Sequence, residues 1–245
     1  LVSESITEYG IYIGYVNAPQ VINNEVYNMF FDGSKWPIYF VANVNNAVVS
    51  KNKIHSIKQP GTTGYNSTGI YFSSGTNCFD NQIDNNMIYD LSTYGNTSMY
   101  LYGIRIAGGS NYKIYYNSVS ITDTVANPAA NLPSACLYIS TAAINIDIRN
   151  NIFLNTRVGN TPKNYAIHSP NTTTFQNINY NDYWTTGSVI GYFGADVANL
   201  NDWRTAIGQD LNSISDDPHF TSETNLHINP SFSTVCDIGV PIAGV

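Results

Sequence analysis

Short apolar strands alternate along the chain with polar, turn-forming residues at a period near thirty. One mark is an apolar strand residue, at Ile11, Ile38, Ile70, Ile104, Leu137 and Ile167, with separations of 27, 32, 34, 33 and 30 residues. A second mark is an Asn with Val or Ile three positions before it and an apolar residue two positions after it. It occurs as Val21/Asn24/Val26, Val49/Asn52/Ile54, Ile83/Asn86/Ile88, Ile114/Asn117/Val119, Ile148/Asn151/Phe153 and Ile178/Asn181/Tyr183. The first mark precedes its Asn by 13, 14, 16, 13, 14 and 14 residues. Six units with one internal spacing define a repeat protein whose length variation collects in the connections between units.

A unit of this length with no helical periodicity reads as one turn of a coil whose strands pair with the turns above and below. The predicted fold class is all-β: a single-stranded right-handed parallel β-helix of six or more coils, with a C-terminal cap holding one short helix. Residues 1–184 are read as coils and 185–245 as the C-terminal coil and cap, in one continuous domain. Alternation of side chains along a strand puts Ile11/Ile13, Ile38/Phe40, Ile70/Phe72, Ile104/Ile106 and Leu137/Ile139 inside. The same rule stacks Tyr12, Tyr39, Tyr71, Arg105, Tyr138 and His168 as an outward column. The connections Lys58 to Thr68, Ser92 to Tyr102, Thr122 to Ala135 and Thr156 to Asn164 are rich in Gly, Pro, Asn, Ser and Thr and are expected to be exposed loops. After Trp184 the pattern changes: Leu200, Trp203, Ala206 and Ile207 have helical spacing and Gly208 follows, which predicts a helix over Val197 to Ile207.

Composition adds an environment. Only 11% of the 245 residues are charged, and 19 are Tyr, so the polar surface must come from Asn, Ser, Thr and Tyr. That profile suits a secreted or cell-surface location. A net charge of −7 with ten scattered basic residues supplies no cationic stripe, so nucleic acid is not an expected partner. No apolar run reaches the length of a membrane span, and membrane insertion is not expected. The chain begins inside the repeat pattern and is read as a processed chain or a piece of a larger one. Cys78, Cys136 and Cys236 are too few and too separated for a disulfide framework or a zinc site, and the expectation is three isolated buried thiols, with one bridge plus one free thiol as the alternative. No metal or cofactor is expected.

The units, best seen in GIYF, SSGTN and IDNNMI between Gly69 and Ile88, resemble the repeats of the right-handed, pectate-lyase-like parallel β-helix superfamily over roughly Gly10 to Tyr183. The tail, with NDYW, NDWRTAIGQDLNSI, DDPHF and NLHINP, is similar to the C-terminal region of large secreted or surface bacterial β-helix proteins. The resemblance implies the fold and a bacterial extracellular setting. It also implies a choice among lyases, hydrolases, adhesins and spacers, because the superfold hosts all of them.

The residues weigh that choice. A lyase needs a base beside the uronate carboxylate, and the nearest constellations are Lys113 with Asp147 in adjacent coils and Asp84 with Arg149 two coils apart. Each reads as an ordinary ion pair. Of the polygalacturonase-like motifs only an Asp-Asp pair is present, Asp216–Asp217, placed in the tail where it reads as a turn starter before Pro218. His55, His168, His219 and His227 fall at unrelated offsets. The Asn column (Asn24, Asn52, Asn86, Asn117, Asn151, Asn181) reads as scaffold, filling a turn of left-handed geometry with amides bonded from coil to coil. The expected function is a non-catalytic extracellular structural or adhesive module, with assembly end to end into a layer or filament as one version and neighbouring copies or polysaccharide as partners. A polysaccharide lyase or hydrolase acting on acidic polysaccharide is the alternative, and glycan binding on the outward aromatic column is the third reading.

Overall fold

The computed structural model describes residues 8–61, 65–73, 77–94, 100–124, 133–158, 163–170 and 174–245. Three parallel sheets wrap one elongated core. Sheet A stacks Tyr9–Ile13, Trp36–Phe40, Ser67–Phe72, Leu101–Ile106, Ser134–Ile139, Asn164–Ser169 and Gly191–Phe193 in that order. Sheet B stacks Gln20–Ile22, Val48–Ser50, Gln82–Asp84, Lys113–Tyr115, Ile146–Arg149 and Phe175–Asn179. Sheet C follows each of these after a tight corner, from Glu25–Phe30 to Asp182–Thr185. The six Asn marks delimit about five turns of a parallel solenoid. The expectation of six or more coils counted the marks, which exceed by one the turns between them.

The periodic marks are the register. Ile11, Ile38, Ile70, Ile104, Leu137 and Ile167 face one another directly along sheet A. Val21, Val49, Ile83, Ile114, Ile148 and Ile178 do so along sheet B. Val26, Ile54, Ile88, Val119, Phe153 and Tyr183 do so along sheet C. One coil offers water an apolar face; each added coil covers it at about 4.8 Å per step and completes the ladder bonds of its neighbour.

The corner between sheets B and C explains the Asn mark. Each ladder Asn from Asn52 to Asn181 accepts, on its side-chain oxygen, both the main-chain N–H and the amide NH2 of the Asn one coil earlier, at 2.9–3.1 Å. Its own NH2 also reaches back to a carbonyl of the preceding coil, Val21, Val49, Ile83, Ile114 or Ile148. The left-handed residue of the turn is the one before the ladder Asn: Asn23, Lys51, Asn85, Tyr116, Asn150 and Tyr180 all have φ between 54° and 60°. The expectation that the ladder Asn itself occupies that conformation is therefore corrected. Its role is to donate and accept inside the corner, which its preceding neighbour bends open.

Sheet A departs from strict alternation. Gly69 and Gly103 precede the inward Ile70 and Ile104, and a Cβ at either would run into the inward side chain of Ile88 or Val119 on sheet C. Two consecutive residues therefore point inward, and the outward position moves to the residue before the glycine. In the connections Tyr65, Tyr94, Tyr100, Thr124 and Val158 are exposed as expected, while residues at the ends turn inward. Gln59, Thr93 and Arg157 are buried at the corner between sheets C and A. There Arg157 pairs with Asp123 at 2.8 Å and donates to Thr93 Oγ1 at 3.1 Å. The middle of each connection lies outside the described residues.

The C-terminal end is closed. Gly191–Phe193 adds a last rung to sheet A, then helix α1, Leu200–Ile207, crosses the end of the barrel. Asn199 caps it, accepting from the N–H groups of Asn201 and Asp202, so it starts three residues later than the spacing alone predicts. Gly208 ends it with φ 70°. Trp203 is fully buried against Phe175, Tyr183 and Phe193. Ser213 takes the next place on the Asn ladder, accepting from the N–H of Asn181 at 2.7 Å. Cys78 and Cys136 are buried free thiols, but Cys236 is exposed, which corrects the expectation of three buried ones.

Candidate functional site

The outward column on sheet A is continuous. Tyr12, Tyr39, Tyr71, Arg105, Tyr138 and His168 are direct neighbours in the register, and Tyr192 extends the column by one rung. Ring centroids lie 5.4 Å apart for Tyr12/Tyr39, 5.3 Å for Tyr39/Tyr71, 4.7 Å for Tyr138/His168 and 4.4 Å for His168/Tyr192. Arg105 bridges the gap, its guanidinium 4.5 Å from the Tyr71 ring and 5.6 Å from that of Tyr138.

A second column, absent from the sequence reading, runs beside the first. Tyr9, Trp36, Tyr102 and Tyr165 stand three residues before Tyr12, Tyr39, Arg105 and His168. Trp36 stacks on Tyr39 at 5.0 Å, Tyr102 on Tyr138 at 4.5 Å, and Tyr165 meets His168 edge-on at 5.4 Å. Tyr9 and Trp36 are direct neighbours, and beyond them Thr68 and Ala135 occupy the rungs on either side of Tyr102. Tyr102, Ala135, Tyr165 and Val189 form an apolar cluster of their own outside the barrel. The signal was present in the sequence as an i−3 aromatic, but strict alternation assigns that position to the interior. The double inward step reverses it, at Gly10 and Gly103 and equally at the buried Pro37 and Ala166.

The face is broad, aromatic and nearly uncharged. Burial raises the phenols of Tyr71, Tyr102 and Tyr138, with those of Tyr9 and Tyr165 pushed up to about 12, so all present neutral hydroxyls. Burial lowers His168 to about 4, so it is a neutral ring between two tyrosines. Arg105 is in no ion pair among the described residues, and Arg105 Nε, Trp36 Nε1 and His168 Nδ1 make no hydrogen bond there. At the far end Tyr165 donates to Asp196 Oδ1 at 2.8 Å, and Lys163 pairs with the same carboxylate.

The other candidates are satisfied inside the scaffold. Lys113 faces Asp147 in the register, but both Asp147 oxygens are taken by Arg149, at 2.7 and 2.6 Å, and by the Tyr115 hydroxyl at 2.6 Å. Asp84 accepts from Ser50 Oγ at 2.6 Å and from the Gln82 and Asn85 amides. Asp217 accepts from the N–H of His219, two residues on, in the turn read from the sequence. His55 stacks between Tyr27 and Tyr89 on sheet C, at 5.3 and 5.0 Å, and reaches Glu25 at 3.1 Å, so it also belongs to an outward aromatic column. His227 contacts Asn225 in the tail. Among the described residues no three His, Cys, Asp or Glu side chains converge as a metal site, and no helix is long and apolar enough to cross a membrane.

The chain matches no protein-family model, no curated protein and no solved structure at a significant level.

Proposed function

We propose that this chain is a non-catalytic, extracellular adhesive module that holds polysaccharide on the aromatic face of sheet A, within the pectate-lyase-like class of β-helices. The observation that carries the reading is the in-register column from Tyr12 to Tyr192 with its flanking rings. Sugar rings stack their C–H faces on aromatic rings while their hydroxyls find polar rims. Here every rung of the column except that of Arg105 offers a ring, and the phenol hydroxyls with the Arg105 guanidinium supply the rim. A rigid sheet holds these groups in place before the ligand arrives, which lowers the ordering cost of binding.

The spent hydrogen bonds of Asp84, Asp147 and Arg149 favour binding over turnover, since each is committed to a structural partner. Helix α1 across the C-terminal end weighs against a filament of solenoids stacked head to tail, because Trp203 fills the position that a following coil would take.

Retention on a glycan array or in affinity gels containing neutral and acidic polysaccharides tests the reading. Tyr71→Ala and Tyr138→Ala are each expected to weaken retention about tenfold, from loss of roughly 1 to 1.5 kcal/mol of aromatic contact, with unchanged far-ultraviolet dichroism. Failure to retain any polysaccharide would remove the proposal. Release of unsaturated product from a uronate polymer, lost in Arg105→Ala, would replace it with the lyase reading.

A further inference from the structure

The last residues of the chain return along the outside of the solenoid to the corner between sheets B and C. Tyr116 and Asn150 occupy equivalent left-handed positions of successive coils there, with φ 54° and 60°. Both use their side chains on main-chain atoms of the tail. The Asn150 amide donates to the Val240 carbonyl at 2.7 Å and accepts from the Val240 N–H at 3.0 Å. The Tyr116 hydroxyl donates to the same carbonyl at 2.7 Å and accepts from the Ile242 N–H at 3.0 Å.

One side-chain amide thus offers a donor and an acceptor to one residue, as the peptide group of an adjacent strand does. Recognition of this kind reads extended main chain and tolerates varied side chains. The tail adds little apolar burial: Gly239, Pro241, Ala243, Gly244 and Val245 are exposed, and Val240 and Ile242 are half-buried. A surface segment held mainly by main-chain bonds opens far more readily than the core.

We propose that this corner is a docking groove for extended main chain, filled here by the chain's own residues 239–242, and that the same segment of a second copy fills it in trans. The partner follows from the occupant, because another copy's tail carries the same atoms that Asn150 and Tyr116 hold. Exchange of an identical element is a low-cost route to a dimer. Docking in cis benefits from an effective concentration on the order of millimolar, so exchange shows once the cis contact is disabled or the protein is concentrated.

Two full-length variants separate the halves of the contact. Val240→Pro, made together with Ile242→Pro, lacks both N–H groups that Asn150 and Tyr116 accept, so the tail is released from the groove while Tyr116 and Asn150 stay in place. Asn150→Gly combined with Tyr116→Phe removes the polar atoms of the groove and leaves the tail intact, and Gly suits the left-handed corner. By sedimentation each is expected to be monomeric alone, and a mixture at roughly 100 μM of each to form a 1:1 complex. No complex in the mixture, or association of the groove variant by itself, overturns the proposal. Should the groove variant fail to fold by circular dichroism, a labelled peptide of residues 239–245 takes its place as donor. It is expected to bind the chain carrying both proline substitutions and not the wild type; equal binding to both, or to neither, overturns the proposal.

Discussion

Asn86 shows how much of this scaffold rests on single side chains. Its amide accepts from the main-chain N–H and the NH2 of Asn52 and donates to the carbonyl of Val49 and the side-chain oxygen of Asn117. Asn86→Ala removes one residue's atoms and strands buried polar groups on two neighbouring coils, the expensive way to lose a hydrogen bond. The expected loss is about 3 kcal/mol, read from the midpoint of urea unfolding. Titration acts at the same scale. Asp182 is fully buried, and burial, aided by the charges of Asp216 and Asp217, raises its carboxyl to about 8. Its Oδ2 has no hydrogen-bond partner among the described residues. An unfolded carboxyl titrates near 4, so between about 4 and about 8 the folded state alone keeps the proton, and stability falls as pH rises through that window. His168 runs the other way: lowered to about 4 by burial, it contributes fully above about 6.5 and loses that contribution as pH falls towards 4. Melting at pH 5 and pH 8 should show Asp182→Asn gaining roughly 5–10 °C relative to the wild type at the higher pH and little at the lower.

At the level of elements, α1 does for the last coil what the next coil does for every other. Trp203 packs under Phe193 and Phe175, and its Nε1 donates to Asp210 at 2.9 Å; Asp210 also accepts from the Tyr183 hydroxyl at 2.7 Å and from Ser213. Trp203→Ala removes the plug and leaves Asp210 buried with fewer partners, a change costing about 3–5 kcal/mol. In a solenoid each repeat touches only its neighbours, so the damage should stay local. Hydrogen exchange is expected to accelerate over residues 175–228 while the strand Ser67–Phe72 keeps its protection; uniform acceleration would show that the coils unfold as one unit.

On the scale of the whole molecule, stacking turns a weak motif into a surface. One outward Tyr is a common surface residue. Seven rungs from Tyr12 to Tyr192 in direct register make a strip of about 29 Å at the spacing of parallel strands. If polysaccharide lies along it, retention rises with oligosaccharide length until the strip is covered, and no single pocket accounts for the affinity. The C-terminal cap and returning tail give the molecule unlike ends and unlike corners. On the outer side of sheet A Tyr12 is exposed and the rest of the column half-buried, and the corner at Tyr116 and Asn150 carries the tail.

The sequence by itself determined the period, the apolar columns of all three sheets, the Asn ladder and the first aromatic column, because each depends on local alternation repeated at one spacing. It also marked α1 through Trp203 and Gly208. Only the tertiary structure decided which neighbours those residues meet. The double inward step, at Gly10 against Val26 and at Gly103 against Val119, depends on side chains of another sheet, and Pro37 and Ala166 stand at the same place on their strands, so the flanking column of Tyr9, Trp36, Tyr102 and Tyr165 was not legible. The committed state of Asp147 depends on Tyr115 one coil away, and the grip of Asn150 on Val240 joins positions 90 residues apart. Periodicity records what a residue needs from its own strand; contacts across coils and sheets leave no spacing to read.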